Sequence, residues 1–347
     1  MSRSAATDPA ARLAQKMKTR LLSIVALLLA TAAALSQTIP APALQPILPG
    51  GLVLPLFPPD SPFIKKARIN EPEQLNMMKG VPGRIQSIVN IHNPSIEFHP
   101  VDPAINTGAL VILAAGGGHS TLNVGTEGAD FVPFFYNYGV NTVILRNRLR
   151  VDGYNPVTDE VYDAQQAIRM VRAHAKEWNL DPHKIGIVGF SAGAELAAPA
   201  AIQYPAFDKA NSSSGDSLAG ISSRPDFVGL VYPGPTPFQR DPNSVIPADA
   251  PPTFITSAGT DDQQHANWAD QYFAAFLKAQ IPNLEMHIYG NGVHANGLKD
   301  RNDTPFGTWQ NRFIDWFRDL GFLGKPDVET KAAKDVATRA ARPARGR

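Results

Sequence analysis

The chain has 347 residues, 32 of them Lys or Arg and 31 Asp or Glu, for a formal net charge of +1. That balance hides three parts: residues 1–20 carry net +4, residues 324–347 net +4, and residues 21–323 net −7. An acidic body between basic ends excludes a whole-chain basic footprint for nucleic acid. A content of 44% hydrophobic and 18% charged residues excludes a disordered chain, and the lack of cysteine excludes disulfides, thiolate nucleophiles and Cys-ligated metals.

At the N-terminus, Lys18 and Arg20 precede an apolar run from Leu21 to Leu35, broken only by Ser23 and Thr31. The run is short of the roughly 20 apolar residues of a membrane span. With the small residues Ala32, Ala33, Ala34 and Ser36 behind it, residues 1–36 read as a secretory signal peptide, with Met17 the more natural start. The expectation is a mature chain beginning near Gln37, secreted or periplasmic, with no stable membrane span; an uncleaved anchor is the alternative. Residues 37–84 read as a Pro-rich N-terminal arm, with eight prolines between 37 and 62 that preclude a regular helix.

Residues 85–323 alternate short apolar runs with helix-period segments. Strands are expected at Ala109–Ala114, Val140–Leu145, Ile185–Phe190, Phe227–Tyr232, Thr253–Ala258 and Leu284–Tyr289. Between 158 and 178, Val161, Ala164, Ile168, Val171, Ala175 and Trp178 recur at helical spacing. Further helices are expected near 192–203, 264–279 and 308–320. This alternation predicts an α/β fold with a mostly parallel central sheet and helices on both faces. The Ser-, Gly- and Asp-rich stretch 205–226 is read as an excursion near the site edge that forms part of a cap. The basic tail 324–347 has few large apolar residues and is expected to be disordered or at most weakly helical.

The sharpest chemical signal is Gly189-Phe190-Ser191-Ala192-Gly193, placed between an expected strand and a small-residue helix. Its two glycines permit a strand-to-helix turn that lifts the Ser191 hydroxyl above the sheet. A serine hydroxyl needs a base, and His294, on a Gly-rich loop after the last strand, is the first candidate, with His265 and His119 as alternatives. The orienting acid is expected after the strand Thr253–Ala258, where Asp262 is preferred and Asp261 is second; the other Asp is expected to cap the following helix. The order Ser191, Asp262, His294 is the α/β-hydrolase order. Two backbone donors for an oxyanion are expected from Ala192 and from Gly117 and Gly118, in the glycine run after Ala109–Ala114. His119, next in that run, is expected to line the leaving-group side of the substrate site.

These residues resemble the α/β-hydrolase superfamily of esterases and lipases, nearest the acetyl xylan esterase-like and bacterial feruloyl esterase-like branch. The shared features span about 85–323 and include the glycine loop before Glu127-Gly128, Arg148-Leu149, Asp163-Ala164-Gln165, Asp181-Pro182, Gly189–Gly193, Arg224-Pro225-Asp226-Phe227, Asp261-Asp262 and His294. Where Gly-His is usual after the elbow this chain has Ala194-Glu195, and Glu195 is read as a buried or paired structural acid. The resemblance implies a serine hydrolase without metal or cofactor, acting on a small ester or an acylated polysaccharide and binding no nucleic acid. The rival readings are a general short-chain carboxylesterase, a serine peptidase and a non-catalytic hydrolase-fold binding protein.

Overall fold

The continuous apolar runs form the buried centre of a sheet. The computed structural model describes residues 44–213, 216–240, 244–295, 297–298 and 305–342; the expected signal segment lies outside them. The strands are β1 (Leu52–Pro55), β2 (Gln74–Met77), β3 (Ile85–Val89), β4 (Ser95–His99), β5 (Leu110–Ala114), β6 (Asn141–Arg146), β7 (Ile185–Phe190), β8 (Val228–Val231), β9 (Thr253–Ala258) and β10 (Glu285–Tyr289). The helices are α1 (Phe131–Tyr136), α2 (Val161–Ala173), α3 (Ala194–Ala210), α4 (Pro237–Arg240), α5 (Gln263–Lys278), α6 (Trp309–Asp319) and α7 (Lys331–Ala340).

Eight strands form one sheet in the order β1-β4-β6-β5-β7-β8-β9-β10, while β2 and β3 pair separately. From β6 to β10 every pairing is parallel; β4 is antiparallel to both of its neighbours. Strand alternation divides the core between two faces. On β5, Leu110, Ile112 and Ala114 join the layer that holds α2, α3 and α5, whereas Val111 and Leu113 join the layer that holds α1 and α6. Both sheet faces are thus covered, which is why the central strands β5 and β7 are apolar along their length.

Three expectations are sharpened or corrected. First, of the two readings of the Pro-rich segment, a spacer or an arm lying on the domain, the structure takes the second: β1 pairs with β4, and Leu56 and Phe57 lie in the core. A buried charge cluster ties this segment down. Glu97 on β4 accepts the N–H groups of Ile47 (2.6 Å) and Leu48 (2.9 Å) and a bond from Arg146 Nη2 (2.6 Å), and Arg146 also reaches Glu73 (2.8 Å). Second, the stretch ahead of β8 is no cap. Arg169 and Arg172 on α2 hold its carbonyls at Leu218, Ile221 and Ser222, and Asp226 N–H bonds Ile185 O at the N-terminal end of β7, opposite Ser191. Third, the basic tail forms α7. The Thr330 side chain caps it by accepting Ala333 N–H (3.0 Å), and Ala332 and Val336, one turn apart, are buried. Those two small apolar positions at i, i+4, with Asp335 accepting from Asn283 and Arg339 donating to the carbonyl of Ala279, seat it although the segment lacks large hydrophobic residues. No helix among the described residues is long and apolar enough to cross a membrane.

Candidate active site

Four connections leave the C-terminal ends of β5, β7, β9 and β10, the sheet edge at which open α/β folds place ligands. The turn after β7 carries Ser191 at φ +51°, a left-handed conformation rare for serine. It is tight because Gly193 packs on β5: a Cβ there would enter the carbonyl of Ala114. Strain of this kind persists only where the surroundings over-determine it, and it aims the Ser191 hydroxyl away from the strand.

Ser191 Oγ lies 2.9 Å from His294 Nε2, and His294 Nδ1 lies 2.9 Å from Asp262 Oδ2. The His294 side chain is 35% exposed and Asp262 10%, so the imidazole is the more open of that pair and the carboxylate is largely covered. Asp261 does not cap α5; its Oδ2 accepts Gly292 N–H (3.0 Å) and pins the loop that carries His294. Burial opposes ionisation of Asp262, but hydrogen bonds from His265 and His294 outweigh it and hold its pKa down at about 2. A hydroxyl bonded to an imidazole that is itself oriented by a carboxylate can deliver an activated nucleophile. Asp262, His265 and His294 each place a donor atom within 4.8 Å of the others, a spacing a metal ion could use. The hydrogen bonds from both rings to the one carboxylate already account for that spacing.

The glycine run after β5 faces this relay. Gly116 N–H is bound to Glu127 Oε2 (2.7 Å), whereas among the described residues no backbone or side-chain acceptor takes the N–H of Gly117 or Gly118. Gly117, at φ +132°, must be glycine, because a Cβ would strike the carbonyl of Thr121. Glu127 is fully buried and also accepts the Tyr232 hydroxyl (2.8 Å), whose ring meets the His294 ring edge-on at 4.9 Å. Glu127 therefore joins the glycine loop to the wall of the base. Sequence reading noted Glu127 only as part of a motif and left Tyr232 as the end of a strand.

His119 is turned inward between two carboxylates. Its side chain is buried, Nδ1 lies 2.8 Å from Glu160 Oε2, and Nε2 lies 3.4 Å from Glu195 Oε1. Both ring nitrogens are thus engaged, and the leaving-group role expected for it has no polar atom left to serve. Burial alone would lower its pKa, but the two carboxylates outweigh burial and raise it to about 9. The imidazolium clamps the glycine loop to the start of α2 on one side and to the start of α3, just past Ser191, on the other. Glu195 is buried and paired, and Glu160 is the partner that sequence reading missed.

The chain is also similar to several known proteins. The BD-FAE family model matches residues 103–221, a stretch that holds the glycine loop, Glu127, Ser191 and Glu195 but ends before Asp262 and His294. The chain is 27% identical over 251 residues to an acetylxylan esterase of Xylanibacter ruminicola, covering 65% of this chain and 46% of that protein. It is 26% identical over 222 residues to endo-1,4-beta-xylanase B of Butyrivibrio fibrisolvens, covering 57% of this chain and 34% of that protein. The match thus spans less than half the length of either relative. Among solved structures, the acetyl ester-xyloside bifunctional hydrolase of Caldicellulosiruptor lactoaceticus superposes with a TM-score of 0.62 at 24% identity, over 81% of this chain and all of that one. Esterase 2 of Thermogutta terrifontis superposes with a TM-score of 0.56 at 21% identity, over 74% of this chain and 95% of that one. By sheet order, by the strand ends that carry its polar residues and by these likenesses, the chain has the α/β-hydrolase fold and resembles the BD-FAE and acetylxylan esterase branch of it.

Proposed function

We propose that this chain is a secreted serine carboxylic-ester hydrolase that removes acetyl or hydroxycinnamoyl groups from carbohydrate. The observation that carries the reading is the unbroken chain of contacts from Ser191 through His294 to Asp262 at one sheet edge. Ser191 Oγ attacks the ester carbonyl carbon while His294 Nε2 takes its proton, and Asp262 holds the Nδ1–H of the imidazolium that forms. The oxyanion sits on the N–H groups of Gly117, Gly118 and Ala192, which are in place before charge develops. Collapse of the tetrahedral species breaks the bond to the alcohol oxygen, which leaves with the proton from His294. Water, deprotonated by the same imidazole, then releases the acid and restores the Ser191 hydroxyl. No step needs a metal or cofactor.

The carbohydrate part of the reading is supported by the two relatives named for xylan chemistry. The domain is taken to run from the arm strand β1 to α7, with residues 1–36 removed on export. Hydrolysis of acetylated xylan, methyl ferulate, p-nitrophenyl esters of increasing chain length and a peptide amide tests the assignment. The expected result is turnover of acetyl or feruloyl esters with no cleavage of the amide. Preference for longer p-nitrophenyl esters over both carbohydrate-type substrates would favour a general carboxylesterase, and turnover of none by folded protein would favour a binding protein.

A further inference from the structure

Asp262 has two carboxylate oxygens, and the base uses only one. Oδ2 lies 2.9 Å from His294 Nδ1; Oδ1 lies 2.6 Å from His265 Nδ1. His265 stands three residues after Asp262, in the first turn of α5, so the helix itself sets the reach. Its ring lies face to face with that of His294, with centroids 3.8 Å apart and planes 25° from parallel. Trp268 meets the His265 ring edge-on at 5.0 Å. Among the described residues no backbone N–H and no other side chain donates to either oxygen of Asp262. A carboxylate held at one oxygen can swing about its terminal torsion, which is broad for aspartate.

We propose that His265 is a positioning residue for the base, its Nδ1–H fixing Asp262 Oδ1 and its ring face setting the plane of His294. The proposal rests on the reading of Ser191, His294 and Asp262 as the catalytic relay. Misplacing a base by a fraction of an ångström raises the barrier to proton transfer without changing how the ester docks. The predicted signature is therefore a loss in kcat at nearly constant KM.

The test uses the full chain, p-nitrophenyl acetate and EDTA in all buffers, with His265→Phe and His265→Asn beside the wild type. Phe keeps the stack and removes the donor; Asn places an amide N–H where Nδ1 stood. His265→Phe should lower kcat by about ten- to a hundredfold, the worth of one hydrogen bond to a charged group, with KM within about twofold. His265→Asn should recover the part of that loss that belongs to the missing hydrogen bond, with kcat above that of His265→Phe but below wild type because the ring face is gone. Wild-type kcat in His265→Phe overturns the proposal. So does an equal loss in both variants with a raised KM, which marks a merely structural role; thermal melts of both variants show whether folding is the cause. Wild-type protein that neither turns over ester nor reacts with a phosphonate at Ser191 overturns the underlying relay, and the proposal with it. Reactive wild-type protein with unaffected His265→Phe overturns the proposal alone.

Discussion

Replacing His294 with Ala is expected to lower kcat for ester hydrolysis by about a millionfold, while Asp262→Asn lowers it by about ten-thousandfold. The difference follows from the geometry. In the proposed relay His294 Nε2, 2.9 Å from Ser191 Oγ, is the base, so its loss would take away the acceptor that the hydroxyl has among the described residues. Asp262 acts one step back, on Nδ1, and Asn in its place keeps the volume but offers a poorer partner to the imidazolium. Asp261→Asn, whose hydrogen bond among the described residues is to Gly292 N–H, should cost far less than either. The three variants measured with one ester under saturation order the two acids directly. A larger loss for Asp261→Asn than for Asp262→Asn would reverse their roles.

His119 should make the stability of the fold fall with rising pH in a window that a single variant removes. Its pKa is raised from 6.5 to about 9 by Glu160 and Glu195, against the opposing effect of burial. A group whose folded pKa is raised binds its proton more tightly when folded. Its contribution is therefore complete below about 6.5, declines between there and about 9, and is gone above. The span corresponds to on the order of 3 kcal/mol at about 1.4 kcal/mol per pH unit. Because the ring joins the glycine loop to the starts of α2 and α3, the same rise in pH should loosen Gly117 and Gly118 and reduce kcat. His119→Gln has no such proton to lose. Denaturant unfolding at pH 6 and at pH 9.5 should show a large drop for the wild type and a much smaller one for the variant; equal drops would remove His119 from the account.

The parts of this molecule that read cleanly from sequence are those in which residue polarity reports position. The strands β5 and β7 lie buried on both faces and are apolar along their whole length, and the expected limits of β7 and β9 match the observed ones. Ser191, Asp262 and His294 stand at strand ends beside glycines, where local turn chemistry marks them. The strand β4 (Ser-Ile-Glu-Phe-His) is just as buried, yet it reads as polar because Glu97 is neutralised by Arg146 and by two backbone N–H groups from the arm. Those partners lie about 50 residues away in either direction, and no local pattern announces them. The same holds for His119: its conformation at φ +59° belongs to the glycine loop, but its partners Glu160 and Glu195 come from two other segments. For β1 and α7, short length and small side chains conceal elements whose stability comes from what they pack against.

The central claim is that Ser191 is the nucleophile of an ester hydrolase. It is tested most directly by incubating the full chain with an alkyl phosphonate ester and measuring the intact mass and the modified peptide. The account predicts one stoichiometric adduct on Ser191, loss of esterase activity in step with labelling, and no adduct in Ser191→Ala. Esterase activity that survives complete modification, or an adduct that persists in Ser191→Ala, would contradict it.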